Sequence, residues 1–210
     1  AHRYIIGLYE VLNRVFTPRR HILFESCSSG GNRFDLGMLC YSPQIWASDD
    51  TDPIERLDIQ SGLSYLYPQS TMGAHVSAAP HQQTLRDTPL STRFNVAAFG
   101  VLGYELELKY MTHAELRELR GQIEFYKAHR KTFQFGRFYR FDERKGNKVH
   151  WQVSSRDGKE HIVGHFQKLC TASEGPDALC VHDLEPKAKY HLSCKRQSLF
   201  IKRLGGLVKH

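Results

Sequence analysis

The sequence has no apolar run long enough to cross a bilayer, since runs such as Val96–Leu102 fall far short of the roughly 20 residues required. It also lacks a CxxC pair, and its five cysteines show neither an even disulfide framework nor zinc-ligand spacing. We therefore expect a reducing, cytoplasmic location and no membrane partner. The chain opens AHRYIIGLYE, without an initiator Met, a basic leader or a small-residue cleavage site. We therefore expect it to be a piece of a longer protein.

The formal net charge of +7 raises the question of nucleic-acid binding, because Lys and Arg side chains neutralise phosphates. Acidic and basic residues nearly balance before Leu108. The excess is spread over Arg117–Arg144 and Lys187–Lys209 without a compact basic run or a nucleic-acid-reading motif. A solvated surface explains this distribution better. We expect no nucleic-acid partner, and a nucleic-acid binder is the weakest interpretation.

Helix and strand patterns alternate through the first part of the chain. They predict a helix, two buried strands and a second helix over Tyr4–Phe16, Ile22–Phe24, Gln44–Ala47 and Asp52–Tyr65. Asp52 is placed to cap the second helix, and Pro53 has the backbone angle of a first helical turn. The segments Thr71–Ala79 and Phe94–Leu106 fit further strands or short helices of the same α/β unit.

The pattern changes after a long amphipathic helix, which opens at the capping box of Thr112 and Glu115 and is predicted to end near His129. Strands separated by Gly-containing turns follow, over Phe133–Phe141, Val149–Val153 and His161–Leu169. The predicted fold class is α/β plus all-β. Residues 1–130 would be the later strands of a (β/α)8 TIM barrel, and residues 131–210 an antiparallel β-sandwich that we expect to be truncated.

Polar residues follow the predicted strands, where a β/α barrel carries its catalytic groups. The segment Ser48–Asp52 places three carboxylates within four residues. Like charges this close favour the protonated form of at least one of them, which suits the general acid of glycoside hydrolysis. Asp52 has an adequate task as a helix cap. The spacing fits two interpretations of Asp49, a catalytic acid and a solvated loop residue. It also fits two interpretations of Trp46, a ring that stacks against a sugar and a residue of the core.

A glycine-rich turn, Cys27–Gly31, follows the first predicted strand. Glycine lets backbone approach a ligand closely, and the hydroxyls of Ser28 and Ser29 can bond sugar hydroxyls, although a plain tight turn fits equally well. Cys27 has no His or Asp nearby in sequence to activate its thiol, so a thiolate nucleophile is disfavoured.

Four segments, in this order and spacing, resemble the family 36 glycoside hydrolases, specifically bacterial α-galactosidases. They are ESCSSGGNRFDLGML (Glu25–Leu39), PQIWASDDTDPIERLDIQ (Pro43–Gln60), MGAHVSAAP (Met72–Pro80) and FGVLGYELEL (Phe99–Leu108). The resemblance implies a retaining double displacement on terminal α-linked galactose, as in melibiose or raffinose. It implies neither a metal nor an organic cofactor.

The resemblance also implies the roles of particular residues. Asp49 would be the general acid/base, with Asp50 as a supporting residue. Cys27 and Gly30 would line the galactose subsite near the 2-hydroxyl, with Ser28 and Ser29 as weaker candidates. Trp46 would form a wall of the pocket.

The sequence departs from the family at the nucleophile, which in the family lies in a K-W-D-x-N-R type motif on an earlier strand. That motif does not occur here. We therefore expect half of the barrel to lie outside this chain and no turnover by the chain alone. The resemblance separately implies a homo-oligomer in the full-length form. Two alternatives stay open: a relative acting as a raffinose-type synthase or α-N-acetylgalactosaminidase, and a non-catalytic carbohydrate-binding module in which Asp49 only enters a helix.

Overall fold

The computed structural model of the protein describes residues 2–27, 32–142, 146–169, 172 and 179–194. Its helices are α1 (His2–Phe16), α2 (Pro53–Leu63), α3 (Leu90–Ala97) and α4 (His113–Phe135). Its strands are β1 (Glu25–Ser26), β2 (Gln44–Trp46), β3 (Met72–Ser77), β4 (Val101–Glu105), β5 (Arg137–Asp142), β6 (Lys148–Ser154) and β7 (His161–Gln167). Over these residues, no helix combines the length and the apolar character that crossing a membrane requires.

The first four strands form a parallel sheet in the order β1-β2-β3-β4. Ser77 pairs with Glu105, so β3 and β4 end at the same edge of the sheet, whereas β2 ends at Trp46, which pairs with Gly73 near the start of β3. Ala74 and Val76 of β3 belong to the core that the helices cover. Consecutive parallel strands joined through helices are the arrangement of a β/α barrel. The α/β part of the predicted fold class is therefore confirmed.

The predicted strand at Ile22–Phe24 is wrong, because the strand begins at Glu25. Leu23 is 84% exposed, and the amide of Ile22 donates to the Arg19 carbonyl in a turn. The hydroxyl of the buried Ser42 lies 2.9 Å from the Phe24 carbonyl and accepts from the Ser26 amide at 2.8 Å. The Ser42 side chain therefore contacts the backbone at Phe24, where the sequence pattern predicts hydrogen bonds to a neighbouring strand.

The predicted start of α2 is confirmed: Asp52 caps it and Pro53 occupies its first turn. The start of α4 is also confirmed, because Thr112 and Glu115 form both hydrogen bonds of a capping box. Its predicted end near His129 is wrong, since α4 continues to Phe135 and is capped at Gly136. The buried Phe133 therefore belongs to this helix and not to a strand.

The last three strands form an antiparallel sheet in the order β5-β6-β7. Gly146 and Gly158, in the two connecting turns, have φ of +86° and +69°, a conformation that glycine adopts without steric cost. The all-β part of the fold class is thereby confirmed. The last part of the predicted β-sandwich, residues 195–210, lies outside the described residues.

One hydrophobic core joins the two sheets. Phe99, which follows α3, makes edge-to-face contacts with Phe133 of α4 and with Trp151 and Phe166 of the antiparallel sheet. The fully buried Trp151 also donates from its indole Nε1 to the Ser61 hydroxyl of α2 at 2.9 Å. The antiparallel sheet thus supports the helix that follows the Asp-rich loop.

Candidate active site

A cleft of about 370 Å³ opens at the carboxyl ends of β2, β3 and β4. Because parallel strands bring their ends together, residues far apart in sequence meet there. Its walls come from the loops that follow these strands, and they comprise Trp46, Asp49, Thr51, Ser77, Ala78, Pro80, His81, Gln82 and Glu105. The structure therefore brings two of the predicted site residues, Trp46 and Asp49, into one cleft.

Asp49 is exposed, and its carboxylate is oriented by the indole of Trp46. Trp46 Nε1 donates to Asp49 Oδ1 at 2.9 Å. The half-buried Trp46 ring is itself fixed by His75 of β3, whose ring centroid lies 4.3 Å away. Trp46 is thus both a wall of the cleft and a hydrogen-bond donor to the predicted acid/base.

Asp50 shapes the loop and does not line the cleft. Its carboxylate Oδ1 accepts from the Asp52 amide at 3.0 Å, and its own amide donates to the Ser48 hydroxyl at 3.1 Å. These contacts support a role for Asp50 in holding the turn. Its predicted part in substrate binding stays a prediction.

Asp52 is buried and joins the start of α2 to the loop after β3. Its Oδ1 accepts from the amides of Ile54 and Glu55 at 2.8 and 3.4 Å, and its carboxylate also accepts from Thr84 and Arg86. Burial acts to raise the pKa of Asp52, but the hydrogen bonds from Thr84 and Arg86 outweigh it and hold that pKa below its usual range. For Asp52, the crowding of acids therefore does not favour the protonated form.

His81, in the loop after β3, closes the cleft against the Asp-rich loop. The amides of Gln83 and Thr84 donate to His81 Nδ1 at 3.4 Å each, and His81 Nε2 lies within hydrogen-bond distance of the Thr51 hydroxyl, at 3.0 Å. Sequence reasoning missed this residue. A single His in a Pro- and Thr-rich loop has no periodicity or spacing that would identify it.

Arg56 is the second residue that sequence reasoning missed. It lies in the first turns of α2, is only 2% exposed, and points back under the loop that carries Asp49. Its guanidinium donates to the carbonyls of Ser48, Asp50 and Gly73. A charged residue four positions after a helix cap is common, so only its burial reveals its place.

The predicted galactose turn is described only at its first residue. Cys27 follows β1, is exposed and does not line the cleft. Ser28, Ser29 and Gly30 lie outside the described residues. Within the described part of the chain, no group of three or more His, Cys, Asp or Glu side chains is placed to hold a metal ion.

A parallel β/α sheet with an exposed carboxylate in a cleft at its carboxyl edge is the catalytic architecture of barrel enzymes. The comparisons with known proteins define the family. A family model described as Melibiase matches residues 1–136, and one described as the glycosyl hydrolase family 36 C-terminal domain matches residues 148–206. The chain belongs to the family 36 glycoside hydrolases. The predicted division between residues 130 and 131 falls inside α4 and stays a prediction.

The curated relatives include alpha-galactosidase AgaA of Geobacillus stearothermophilus. It is 45% identical over 193 residues, which cover 91% of this chain and 26% of the relative. The chain thus spans about a quarter of the length of that enzyme.

Solved structures give the same picture. The alpha-galactosidase of Lactobacillus brevis superposes with a TM-score of 0.84 at 50% identity, over 88% of this chain and 25% of that one. A variant of AgaA in complex with raffinose superposes with a TM-score of 0.85 at 45% identity, over 88% and 26%. These neighbours confirm the predicted combination of barrel strands and a C-terminal β-domain.

Proposed function

We propose that this chain forms the acid/base side of a retaining α-galactosidase, which releases terminal α-linked galactose from oligosaccharides such as melibiose and raffinose. The observation that carries the proposal is the Trp46–Asp49 pair: an exposed carboxylate, oriented by an indole N–H at 2.9 Å, in a cleft at the carboxyl edge of a barrel sheet. The family and the raffinose-bound relative supply the substrate class.

The geometry suits both halves of a double displacement. In the first half, Asp49 protonates the departing glycosidic oxygen. Its Oδ1 accepts the indole hydrogen bond, so Oδ2 is the oxygen that would carry the transferred proton. Once the proton has left, the bond from Trp46 joins a charged acceptor and becomes stronger. In the second half, the same carboxylate removes a proton from the attacking water.

The nucleophile would come from outside this chain. No K-W-D-x-N-R motif occurs in the sequence, and the match covers only 26% of the relative. We therefore propose that the chain alone has no turnover, because covalent catalysis needs a second carboxylate about 5 Å from the first.

Two further expectations accompany this proposal. Four described cysteines, Cys27, Cys40, Cys180 and Cys194, are free and exposed, which supports a reducing cytoplasmic location. We also propose that the full-length form is a homo-oligomer, an expectation that follows from the family resemblance.

The test compares this chain with an extended protein, in which the part of the Geobacillus enzyme that precedes the matched segment is joined ahead of residue 1. Both are assayed for hydrolysis of a nitrophenyl α-galactoside and of raffinose. We expect activity only in the extended protein. Asp49→Asn in that protein should lower kcat/KM for raffinose by about 10²- to 10⁴-fold, the usual contribution of general acid/base catalysis.

Asp58→Asn is the matched control, since Asp58 is an exposed carboxylate on α2 that pairs with Lys168. It should leave the activity unchanged. Full activity in Asp49→Asn would refute the proposed role of Asp49. No activity in the extended protein, together with retained binding of galactosides, would favour the non-catalytic carbohydrate-binding module.

A further inference from the structure

We propose that Arg56 is a positioning residue for Asp49: its buried guanidinium fixes the backbone on both sides of the acid/base and so sets the direction in which the carboxylate delivers its proton. This inference rests on the proposed function. Arg56 is buried and does not line the cleft, so its effect on proton transfer would act through Asp49.

The contacts of Arg56 surround Asp49 along the chain. Arg56 Nη2 donates to the Ser48 carbonyl at 2.6 Å, and Arg56 Nε donates to the Asp50 carbonyl at 2.6 Å. Ser48 and Asp50 are the residues immediately before and after Asp49. A guanidinium is planar and its N–H groups diverge at fixed angles, so bonding both carbonyls at once allows a narrow range of loop conformations.

A third bond ties this loop to the sheet. Arg56 Nη1 donates to the Gly73 carbonyl of β3 at 3.1 Å. The loop that carries Asp49 is thereby anchored to the neighbouring strand β3 as well as to α2. A carboxylate on such a loop keeps its place relative to the whole edge of the sheet.

Arg56 also reaches Asp49 through Trp46. The guanidinium carbon lies 4.9 Å from the centroid of the Trp46 ring, within the range of a cation–π contact. The same indole donates to Asp49 Oδ1 at 2.9 Å. Arg56 therefore controls the backbone of Asp49 directly and its side chain through one intermediary.

Burying the Arg56 guanidinium costs desolvation free energy, which its hydrogen bonds must offset. Burial lowers the pKa of Arg56 to about 10, against the opposing influence of Asp50, Glu105 and Asp49, so the guanidinium stays charged at neutral pH. Well-packed apolar side chains often replace buried charges without loss of stability. A fold that only needed to attach α2 to the sheet would not require three guanidinium hydrogen bonds at this loop.

The experiment measures how strongly catalysis depends on the leaving group in the extended protein carrying Arg56→Lys. Lysine keeps the charge but lacks the planar fork that bonds both carbonyls. The substrates are raffinose and a series of aryl α-galactosides that ends in a dinitrophenyl galactoside, whose leaving group needs no proton. Because kcat/KM reports the step in which the leaving group departs, a misplaced acid affects poor leaving groups selectively.

We expect kcat/KM for raffinose to fall about 10²-fold in Arg56→Lys, the typical effect of a misplacement near 1 Å. For the dinitrophenyl substrate it should fall by less than about threefold, because general-acid assistance is not needed there. Any fall in kcat for the dinitrophenyl substrate would come from the second step, in which Asp49 acts as general base. Azide is a nucleophile that needs no general base, so it should restore this kcat.

Arg140→Lys is the matched control. The Arg140 guanidinium also bonds a backbone carbonyl, that of Ser64 at 2.9 Å, and lies 3.7 Å from the centroid of the Tyr65 ring. It contacts none of the residues around Asp49, so the leaving-group dependence should be unchanged. If Arg56→Lys does not fold, as judged by circular dichroism, Arg56→Gln replaces it, since Gln keeps a planar amide donor without a buried charge.

Two results would overturn this inference alone: an equal loss of kcat/KM for all leaving groups, which is the mark of a purely structural role, or no loss at all. In both cases the extended protein and its Asp49→Asn variant would behave as expected, so the proposed function would stand. No hydrolysis by the unsubstituted extended protein would overturn both proposals.

Discussion

Asp52 offers a quantitative test of how the site is held, because one buried carboxylate joins a helix start to a distant loop. The changes are Asp52→Ala, which removes every contact, and Asp52→Asn, which keeps an oxygen for the helix amides. The carboxylate is fully buried, caps α2 and accepts hydrogen bonds from Thr84 and Arg86. Both variants should weaken the attachment of the loop after β3 to α2, where the ion pair between Arg86 and Glu55 remains.

The magnitude follows from these contacts. Loss of a helix cap costs about 1 kcal/mol, and each hydrogen bond to a charged group contributes about 1.5–3 kcal/mol. Because neighbouring contacts are not additive, we expect Asp52→Ala to lower the local opening free energy of α2 by about 3 kcal/mol. Asp52→Asn should lower it by roughly 1.5 kcal/mol, since it loses mainly the charge-assisted part.

The effect should depend on pH in one direction. The hydrogen bonds of Asp52 hold its pKa below the usual value, so the unfolded chain binds the proton more readily than the folded one. The stabilisation is therefore complete above the ordinary Asp pKa of about 4 and is lost as the pH falls through the lower folded value. The gap between the parent protein and Asp52→Asn should narrow on acidification.

Native-state hydrogen exchange of the α2 peptide, read by mass spectrometry in the extended protein, measures this opening free energy locally. A loss of 3 kcal/mol accelerates exchange by more than about 10²-fold, since each 1.4 kcal/mol is tenfold. Asp58→Asn, on the same helix but exposed, should change exchange little. The reasoning fails if Asp52→Ala costs less than about 1 kcal/mol, or if the gap to Asp52→Asn widens in acid.

Three further predictions concern single contacts. Trp46→Phe removes the N–H that orients Asp49 and should lower kcat/KM for raffinose by about tenfold, the equivalent of one charge-assisted hydrogen bond; unchanged kinetics would contradict it. Trp151→Ala should destabilise the extended protein by about 3–5 kcal/mol, because the side chain is fully buried, and an unshifted urea midpoint would disprove that. Thr112→Ala should raise exchange in the first turn of α4 by roughly fivefold, since a cap is worth about 1 kcal/mol; slower or equal exchange would count against it.

The sequence predicted those parts of the fold that local chemistry determines. The start of α2 follows from Asp52 and Pro53, and the start of α4 from the pair Thr112 and Glu115, because capping uses side chains within a few residues of the amides they bond. The antiparallel hairpins were equally local, since Gly146 and Gly158 adopt the positive φ that their turns require.

The errors arose where distant residues decide the conformation. Ile22–Phe24 is apolar enough for a strand, yet Ser42, 18 residues after Phe24, engages the carbonyl there. The helix α4 runs past its predicted end near His129, because the core around Phe99 packs against Phe133 on the same helix. A local sequence pattern cannot predict the contact of Ser42 with Phe24 or that of Phe99 with Phe133.

The candidate site divides in the same way. Trp46 and Asp49 lie three residues apart on one strand and its loop, so the local pattern makes them candidates, and the resemblance to the family supplies their predicted roles. His81 joins the site across 30 residues, through its contact with Thr51. A sequence pattern cannot show that His81 and Thr51 lie close together, because their proximity depends on the pairing of β2 with β3.

The bond from Trp151 to Ser61 places the β-domain on the same helix that carries Arg56. The barrel edge and the β-domain should therefore be inherited as one unit, although two separate family models recognise them. If the β-domain were exchanged between relatives, the residues of α2 that contact it would have to be exchanged as well. A recombinant that mixed the two would lose the contact between Trp151 and Ser61, and with it part of the support of the helix that carries Arg56.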